Sequence, residues 1–372
     1  MRILFLEQFS ELGGAQHALL DTVDAVQLAG WEPRVLVPGR GPLVEALQSR
    51  RVPVGEIPCG PYAAGRKRAA DSLRFTLDLP RQVRLIAGSI AGANIDLVYV
   101  NGPRLLPAAA LATQRRTPIL FHAHNHLRGS ALRAARWSLR RAAATVVGCS
   151  KSVLQPLERK QHIVPNGVRD AGYRERGFDG VWRIGTVGRI APEKGQMEFV
   201  KAAAVLHDEF PKARFVICGA PLFDSSRGYF DAVRLRARGL PVEFVEWQRD
   251  VGHILSKLDL LVVPSHQEGM ARIVLEAFSA GVPVVAFPAG GIPEAVMDGV
   301  TGFLARQFTA EALAARIRDV MATDGPKVRE IVRTARQAWA LYYTPGAYQR
   351  RITDLLEKFA VAHEAETPLQ CR

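Results

Sequence analysis

Residues 264–281 read P-S-H-Q-E-G-M-A-R-I-V-L-E-A-F-S-A-G. They follow a largely apolar run, 258–263, which is typical of a strand buried on both faces of a parallel sheet. Gly269 favours a loop after this strand, and apolar residues at helical spacing then predict a helix that begins near Met270 or Ala271. The stretch is therefore a strand, loop and helix unit of an α/β fold.

Two glutamates in this unit are separated by seven residues. Glu268 falls in the predicted loop, and Glu276 falls on the predicted helix. Backbone N–H groups at a helix N-terminus favour an anion. Carboxylates beside such a turn are therefore unusual, unless the ligand brings hydroxyl groups as well as phosphate. A nucleotide sugar brings both. For an isolated E-x7-E pattern, two solvated glutamates at an ordinary loop-to-helix junction are the alternative.

The E-x7-E pattern stands after P-S and is followed by A-x-x-x-G-x-P-V-V-A at 277–286. This combination resembles the retaining glycosyltransferases of the two-Rossmann (GT-B) type, the large group usually called family 4. The resemblance implies an α/β fold in which two Rossmann-like, doubly wound domains face a central cleft. It covers nearly the whole chain and is strongest at 183–304.

The composition limits the class of protein. The chain has 372 residues, of which 48% are apolar, so we expect two domains with sizeable cores. No apolar run approaches the roughly 18 residues needed to span a bilayer, and residues 1–6 are too short an apolar stretch for a signal peptide. The four cysteines show no paired spacing, which argues against a zinc site or a disulfide framework. We therefore expect a cytoplasmic protein.

The net charge of +13 implies an acidic partner, which is a phospholipid surface, a phosphorylated acceptor or nucleic acid. The Arg-rich stretches 66–84 and 128–141 also contain Leu, Phe or Trp, as a helix on an anionic membrane does. A solvated helix face is the alternative. The basic residues are spread along the chain without a recognised nucleic-acid-binding module. We therefore predict a peripheral protein on the inner face of the cytoplasmic membrane and no nucleic-acid partner.

The first domain is predicted at 1–170, the acceptor side in the resembled family. A short strand at 3–6 leads to Gly13 and Gly14 and then to a helix. Glycine lets the backbone approach a ligand, so this turn can bind phosphate or sugar. It does not match G-x-G-x-x-G, and a plain turn is equally consistent. In the family, a G-G pair at this place faces the cleft near donor and acceptor.

Three histidines, His122, His124 and His126, stand at the end of a predicted strand, 118–121. If the strand continued, alternation would place all three on one side, so a metal site is a rival hypothesis. We do not favour it, because no cysteine or carboxylate cluster accompanies the histidines. The resemblance implies a histidine beside the reacting sugar just after this strand, and His124 matches that position best.

The second domain is predicted at 171–345, and the resemblance implies that the last helix, in 346–372, crosses back to the first domain. A predicted strand at 182–187 ends in G-R-I-A-P-E-K-G, which is similar to the G-R-x-x-x-x-K-G run of the family. Arg189 and Lys194, two cations between a strand and a helix, suit a diphosphate. Ordinary surface cations are the alternative.

The resemblance also assigns the remaining donor contacts. Glu276 would hold the ribose hydroxyl groups, and Glu268 those of the donor sugar. Trp247 follows a predicted strand at 242–245. In the family this turn lines the nucleobase pocket, and Trp247 either stacks on the base or simply packs. Arg272 leaves the preferred sugar open. The predicted donor-binding residues are Gly13, Gly14, Arg189, Lys194, Trp247, Glu268, Gly269, Met270, Ala271, Arg272 and Glu276.

The implied reaction is transfer of a sugar from a nucleotide diphosphate-sugar, with a UDP-sugar expected first, to a lipid-linked or polysaccharide acceptor of the cell envelope, with the anomeric configuration kept. His124, Arg189, Lys194 and Glu268 are the predicted catalytic residues. No D-x-D motif occurs in the chain, so neither a catalytic metal nor a cofactor is expected. A sugar-nucleotide epimerase of the same fold, a phosphorylase, and a basic nucleic-acid-binding protein without catalysis are the alternatives.

Overall fold

The computed structural model describes residues 1–60, 69–157, 160–177, 182–222, 226–248 and 250–366. The chain folds into two compact units. One consists of Met1–Gly167 together with the segment that begins at Pro345, and the other is Val168–Thr344. The chain therefore leaves the first unit once and returns to it.

The first unit is built on a parallel sheet of seven strands. In chain order these are β1 (Arg2–Glu7), β2 (Glu32–Val37), β3 (Val54–Glu56), β4 (Leu97–Asn101), β5 (Ile119–Ala123), β6 (Ala144–Gly148) and β7 (Gln161–Ile163). Their order across the sheet is β3-β2-β1-β4-β5-β6-β7. The order reverses between β1 and β4, and doubly wound sheets bind ligands at the carboxyl ends of the strands at such a switch point.

The helices of this unit cover a sheet whose central strands are buried along their whole length. Every residue of β4 and β5 is buried, which requires cover on both faces. The helices are α1 (Gly14–Leu28), α2 (Pro42–Ser49), α3 (Ala69–Ala93), α4 (Leu106–Ala112), α5 (Gly129–Arg141), α6 (Lys151–Leu154) and, at the end of the chain, α14 (Pro345–Glu366).

Helix α14 completes the core of the first unit. Its residues Tyr348, Ile352, Leu355 and Leu356 are buried in the same cluster as the apolar residues of α1 and β1. The hydroxyl groups of Tyr348 and Thr22 lie 2.7 Å apart. Each fully buried side chain of this size stabilises the fold by about 1.5–3 kcal/mol, so the unit depends on this late segment.

The second unit is built on a parallel sheet of six strands. They are β8 (Arg183–Val187), β9 (Arg214–Cys218), β10 (Val242–Val245), β11 (Leu260–Val263), β12 (Val284–Ala286) and β13 (Phe303–Leu304). Their order is β10-β9-β8-β11-β12-β13, so the switch point lies between β8 and β11. The motif loops after these two strands are therefore neighbours.

The second unit alternates its strands with helices. These are α7 (Gln196–Glu209), α8 (Arg227–Arg236), α9 (Val251–Leu255), α10 (Arg272–Ala280), α11 (Ile292–Ala295), α12 (Ala310–Ala322) and α13 (Gly325–Ala338). A short 3-10 helix, Pro192–Lys194, precedes α7. In the part of the chain that the structure describes, no helix is both long enough and apolar enough to cross a membrane.

The predicted α/β class with two doubly wound units is confirmed, whereas some predicted element boundaries are wrong. The strand predicted at 118–121 runs on to Ala123. Helix α13 ends at Ala338, and a π-helical turn, Trp339–Tyr343, follows it. The indole N–H of Trp339 donates to the carbonyl oxygen of Val168 at 3.2 Å, which holds this turn against the start of the unit.

Candidate functional site

The loops that follow β8 and β11 touch through their backbones. Gly195 has a φ of +70°, and a Cβ atom at this position would lie 1.9 Å from the carbonyl oxygen of Pro264. The N–H of His266 donates to the carbonyl oxygen of Glu193 at 2.9 Å. Any side chain at position 195 would force the loops apart, so only glycine permits this approach. The last residue of G-R-I-A-P-E-K-G thus fixes its loop against P-S-H-Q-E-G.

This contact brings Lys194 and Glu268 together. Lys194 Nζ lies 2.6 Å from Glu268 Oε1, and 27% of the Lys194 side chain and 10% of the Glu268 side chain are exposed. The sequence predicted both residues at the donor site but did not predict that they pair. An anion that binds Lys194 must therefore compete with the Glu268 carboxylate.

Arg189 is also balanced by a carboxylate. Its Nη2 lies 2.5 Å from Oε1 of Glu193 on the same loop. Burial opposes ionisation of Glu193, but hydrogen bonds and the charge of Arg189 outweigh it and hold the pKa of Glu193 below its usual range. Gln196 braces the loop, because its Nε2 donates to the carbonyl oxygen of Arg189 at 3.0 Å. The two predicted diphosphate-binding cations thus lie on one loop with their own counter-charges.

Helix α10 carries the rest of this motif. It begins at Arg272, with Ala271 as its N-cap, rather than at Met270 or Ala271 as predicted. Glu276 is partly exposed, but burial raises the pKa of its carboxyl group, and the charge of Arg272 only partly opposes this. Hydrogen bonds from the hydroxyl groups of a ligand would offset the cost of holding this carboxylate in its ionised form.

A third loop joins the site from β12. The N–H of Gly291 donates to the carbonyl oxygen of Glu268 at 3.2 Å. Trp247, in contrast, follows β10 at the edge of the sheet, two strands from β8, and is 46% exposed. The structure therefore gathers the loops after β8, β11 and β12 and leaves Trp247 at the sheet edge.

In the first unit, the three predicted histidines have different partners. A ring nitrogen of His122 lies 2.5 Å from the hydroxyl group of Tyr99. A ring nitrogen of His124 lies 2.6 Å from Oδ1 of Asn101. A ring nitrogen of His126 lies 2.8 Å from the hydroxyl group of Ser152. The expectation that alternation would align all three is wrong, because β5 ends at Ala123. Among the residues with described positions, no group of three or more His, Cys, Asp or Glu side chains is arranged to hold a metal ion.

The ring of His124 lies against a neutral neighbour, tilted by 36° to it. The ring centroids of His122 and His124 are 3.9 Å apart. Burial, and then the neighbouring His124, lower the pKa of His122 well below its usual range. His122 is therefore uncharged, and the His124 ring lies against it while its Nε2 contacts Asn101.

The predicted G-G turn lies in the loop between β1 and α1. Gly13 precedes α1, and Gly14 is its first residue. A Cβ atom at Gly13 would lie 3.0 Å from Oε1 of Gln16. The turn is therefore closely packed against the first turn of its own helix.

Sequence reasoning missed Glu7, the last residue of β1. This side chain is 0% exposed. Its Oε1 accepts hydrogen bonds from Nε2 of Gln16 at 3.0 Å and from the backbone N–H groups of Gln8 and Phe9. Desolvation raises the pKa of Glu7 to about 7 against the effect of these hydrogen bonds. The sequence does carry one sign of this role. Glu7 stands directly after a run of apolar strand residues, where burial of a charge is costly unless hydrogen bonds or a partner compensate it.

The basic stretches lie on helices of the first unit. Stretch 128–141 contains the whole of α5, and 69–84 lies in α3. Arg66, Lys67 and Arg68 fall outside the described residues. Leu73 and Leu77 on α3 are exposed, as the prediction of an interfacial helix requires.

A cavity of about 420 Å³ opens between α4 and α5. It is lined by Ala110, Leu111, Gln114, Arg115, Trp137, Arg140 and Arg141. Trp137 is 43% exposed, and the guanidinium of Arg141 lies 5.8 Å from the centre of its ring. This face therefore combines positive charge with an accessible indole.

The chain has two parallel, doubly wound units, and the second carries Arg189 and Lys194 at its switch point. This architecture is that of the GT-B class of protein. Residues 174–338 match the family model of Glycosyl transferases group 1. Residues 13–169 match that of the Glycosyl transferase 4-like domain. The chain belongs to the group 1 glycosyltransferases, and the predicted resemblance to family 4 is confirmed.

Two curated relatives show the range of this family. The chain is 35% identical over 164 residues, 42% of its length, to D-inositol 3-phosphate glycosyltransferase of Mycolicibacterium gilvum. It is 31% identical over 153 residues, 41% of its length, to the Vi polysaccharide biosynthesis protein VipC/TviE of Salmonella typhi. The match spans 36% of the first protein and 26% of the second, about a third or less of each.

A solved structure matches over nearly the whole chain. The crystal structure of Anabaena Alr3699/HepE in complex with UDP-glucose has a TM-score of 0.80 and 24% identity, and the match covers 96% of this chain and 100% of that one. At this identity the likeness shows the GT-B fold.

Proposed function

We propose that this protein transfers a sugar from a nucleotide diphosphate-sugar to a lipid-linked or glycan acceptor, with the anomeric configuration kept and without a metal ion. The observation that carries the proposal is the Lys194–Glu268 pair, with 2.6 Å between Nζ and Oε1. A cation and a carboxylate at one point suit a ligand that has both phosphate and hydroxyl groups.

Donor binding rearranges this pair in the proposed reaction. The diphosphate replaces Glu268 as the partner of Lys194, and the Glu268 carboxylate then accepts hydrogen bonds from the hydroxyl groups of the donor sugar. Arg189 exchanges Glu193 for a phosphate oxygen in the same way. Hydrogen bonds to charged groups contribute about 1.5–3 kcal/mol each, so the exchange favours a donor that satisfies cations and carboxylates together.

Negative charge develops on the leaving diphosphate as the bond to the sugar breaks. Arg189 and Lys194 stabilise this charge. The leaving phosphate oxygen takes the proton of the acceptor hydroxyl group, which attacks from the same face, so no protein base is required and the configuration is kept. His124 contacts the transferred sugar, and Glu276 accepts hydrogen bonds from the ribose hydroxyl groups.

The names of similar proteins support the donor and acceptor classes. The Anabaena protein was crystallised with UDP-glucose, which supports a UDP-sugar as the first donor to test. The relatives named for inositol phosphate glycosylation and for Vi polysaccharide biosynthesis support an anionic or glycan acceptor. An anionic acceptor also agrees with the net charge of +13 of this chain.

The same proposal places the enzyme on an anionic membrane surface. The support is the face of α5, where Arg140, Arg141 and the exposed Trp137 line one cavity. Each arginine near an anionic leaflet is worth roughly 1 kcal/mol, and the attraction falls off within a Debye length. Several such residues hold a protein on the membrane reversibly, beside a lipid-linked acceptor.

A thermal-shift screen with UDP, GDP and ADP tests the donor, followed by assays of transfer from the matching nucleotide sugar. A nucleotide at 100 times its Kd should stabilise the protein by about 2.7 kcal/mol. Lys194→Ala should lose this stabilisation. Lys201→Ala, which removes an exposed lysine of α7 in the same unit, should keep it. Equal responses in these two variants would refute the assignment of Lys194.

Co-sedimentation with vesicles tests the membrane. Binding should rise with the content of anionic lipid and vanish at high salt. Arg140→Glu/Arg141→Glu should weaken binding, whereas Arg236→Glu/Arg238→Glu, the same charge change on exposed residues of the second unit, should not. If the wild type does not bind anionic vesicles at low salt, the membrane assignment fails and a soluble acceptor is favoured.

A further inference from the structure

Three polar side chains form a line at the carboxyl ends of neighbouring strands. Glu7 ends β1, Asn101 ends β4 and His124 follows β5. Glu7 and Asn101 are 0% and 1% exposed. Glu7 Oε2 accepts a hydrogen bond from Nδ2 of Asn101, and Oδ1 of Asn101 lies 2.6 Å from Nε2 of His124. A buried carboxylate is thus connected to the histidine proposed to contact the sugar.

The surroundings of Asn101 fix the direction of these hydrogen bonds. Its Nδ2 also donates to the carbonyl oxygen of Ala15 at 3.2 Å. A carboxylate and a backbone carbonyl only accept, so the amide nitrogen must face them and the amide oxygen must face His124. Nε2 of His124 then carries a proton, which makes Nδ1 the acceptor in the neutral ring.

Glu7 is also connected to the G-G turn. Its Oε1 accepts from Nε2 of Gln16, on the first turn of α1, at 3.0 Å. Two backbone N–H donors bring the number of hydrogen bonds to Glu7 to four, a set that suits an ionised carboxylate. The titratable neighbours that respond to its charge are Cys59 and Tyr99, and burial raises the pKa of both so that they stay neutral.

We infer that Glu7 is a positioning residue, which holds His124 in its Nε2–H tautomer through Asn101 and braces the start of α1 through Gln16. The consequence for sugar transfer rests on the proposed function, whereas the tautomer of His124 does not. Sugar transfer depends on the hydrogen bonds from Glu7 through Asn101 to His124 if Nδ1 of His124 accepts a hydrogen bond from the nucleotide-sugar.

NMR of the full chain with ¹⁵N-labelled histidine reads the tautomer directly. The His124 signals are assigned by their loss in His124→Gln. At pH 8 the wild type should show the Nε2–H form of His124. Glu7→Gln and Asn101→Leu should each convert it to a mixture of tautomers. Gln82→Leu is the matched control: this residue is also 0% exposed and donates to the carbonyl oxygen of Pro58 at 2.6 Å, and its loss should leave the His124 signals unchanged.

A double variant distinguishes positioning from mere stabilisation. Glu7→Gln/Asn101→Asp exchanges the carboxylate and the amide, so the new amide donates to the new carboxylate, which again accepts from Nε2 of His124. Only the hydrogen bond to the carbonyl oxygen of Ala15 is lost. The Nε2–H tautomer should return. A residue that only stabilised the fold would not give this rescue. If Glu7→Gln does not fold, Asn101→Leu alone decides.

Activity gives the second readout. Glu7→Gln should lower kcat about 100-fold, the effect expected for a misplaced contact group, with little change in the KM for the donor. An unchanged His124 tautomer in folded Glu7→Gln and Asn101→Leu would overturn the inference. If the tautomer responds as expected but the wild type transfers no sugar from any nucleotide donor, the positioning role stands and the proposed function fails.

Discussion

Glu268→Ala should tighten the binding of UDP while it slows the transfer of sugar. Lys194 Nζ lies 2.6 Å from Glu268 Oε1, so a diphosphate must displace the carboxylate before it can use the cation. The substitution removes this competitor. It also removes the group proposed to hold the hydroxyl groups of the donor sugar, which UDP lacks.

The exposure of the pair sets the size of the effect. The Lys194 side chain is 27% exposed and the Glu268 side chain 10%. Solvent-exposed ion pairs contribute about 0.2–1 kcal/mol and buried hydrogen bonds to charged groups about 1.5–3 kcal/mol. For this partly buried pair, the free-energy cost of displacing Glu268 from Lys194 is about 1 kcal/mol. Its removal lowers the Kd for UDP about fivefold. Loss of a contact that strengthens in the transition state should lower kcat/KM about 100- to 1,000-fold.

Calorimetric titration with UDP and single-turnover assays with the UDP-sugar measure the two effects. Glu268→Gln, which keeps the shape but removes the charge, should also bind UDP more tightly. Glu243→Ala is the matched control: it breaks an ion pair with Arg183, 2.7 Å long, at the opposite end of the same sheet, and should change neither quantity. Weaker binding of UDP to Glu268→Ala would refute the reasoning, because Glu268 would then support the nucleotide rather than compete with it.

Four further predictions concern the same sites. Glu276→Ala should abolish detectable donor binding, because its carboxylate is proposed to hold the ribose; wild-type affinity in calorimetry would contradict this. Arg189→Ala and Lys194→Ala should each cost about 2–4 kcal/mol in kcat/KM, and unchanged kinetics in both would make them ordinary surface cations. EDTA should leave transfer unchanged, since these two residues supply the positive charge; activity lost with EDTA and restored by one divalent ion would argue for a metal. Burial raises the pKa of Glu7 from 4.5 to about 7, so its contribution to stability is present below pH 4.5 and is lost as the pH rises through 7. Relative to Glu7→Gln, the free energy of unfolding of the wild type, measured by urea denaturation, should therefore fall by about 3 kcal/mol across this pH range. Parallel curves of unfolding free energy against pH for the two proteins would contradict this.

The local parts of the fold could be predicted because their signals are local. The apolar run 258–263, the loop with Glu268 and the helix with Glu276 lie within one short stretch, and the structure places each in the predicted kind of element. The ends of the elements depend on non-local contacts. Strand β5 continues through His122 to Ala123, because pairing with its neighbours, rather than the local apolar pattern, decides where a strand ends.

The contacts that join distant residues could not be predicted. Lys194 and Glu268 are 74 positions apart, and Glu7 and Asn101 are 94 apart. Only the order of strands across each sheet makes them neighbours. Glu7 was also hidden by its type, since a glutamate at the end of a strand is usually solvated, and the sequence does not show that helix α1 and strand β4 cover it.

The return of the chain to the first unit also affects the order in which the two units can fold. Val168–Thr344 forms a continuous unit, so it can fold on the ribosome as soon as it has emerged. The first unit starts earlier but finishes later, because its core includes Tyr348 and Ile352 of α14. Until α14 emerges, α1 exposes the apolar surface that these residues later cover. The first unit therefore cannot complete its core until the last of its helices has been synthesised.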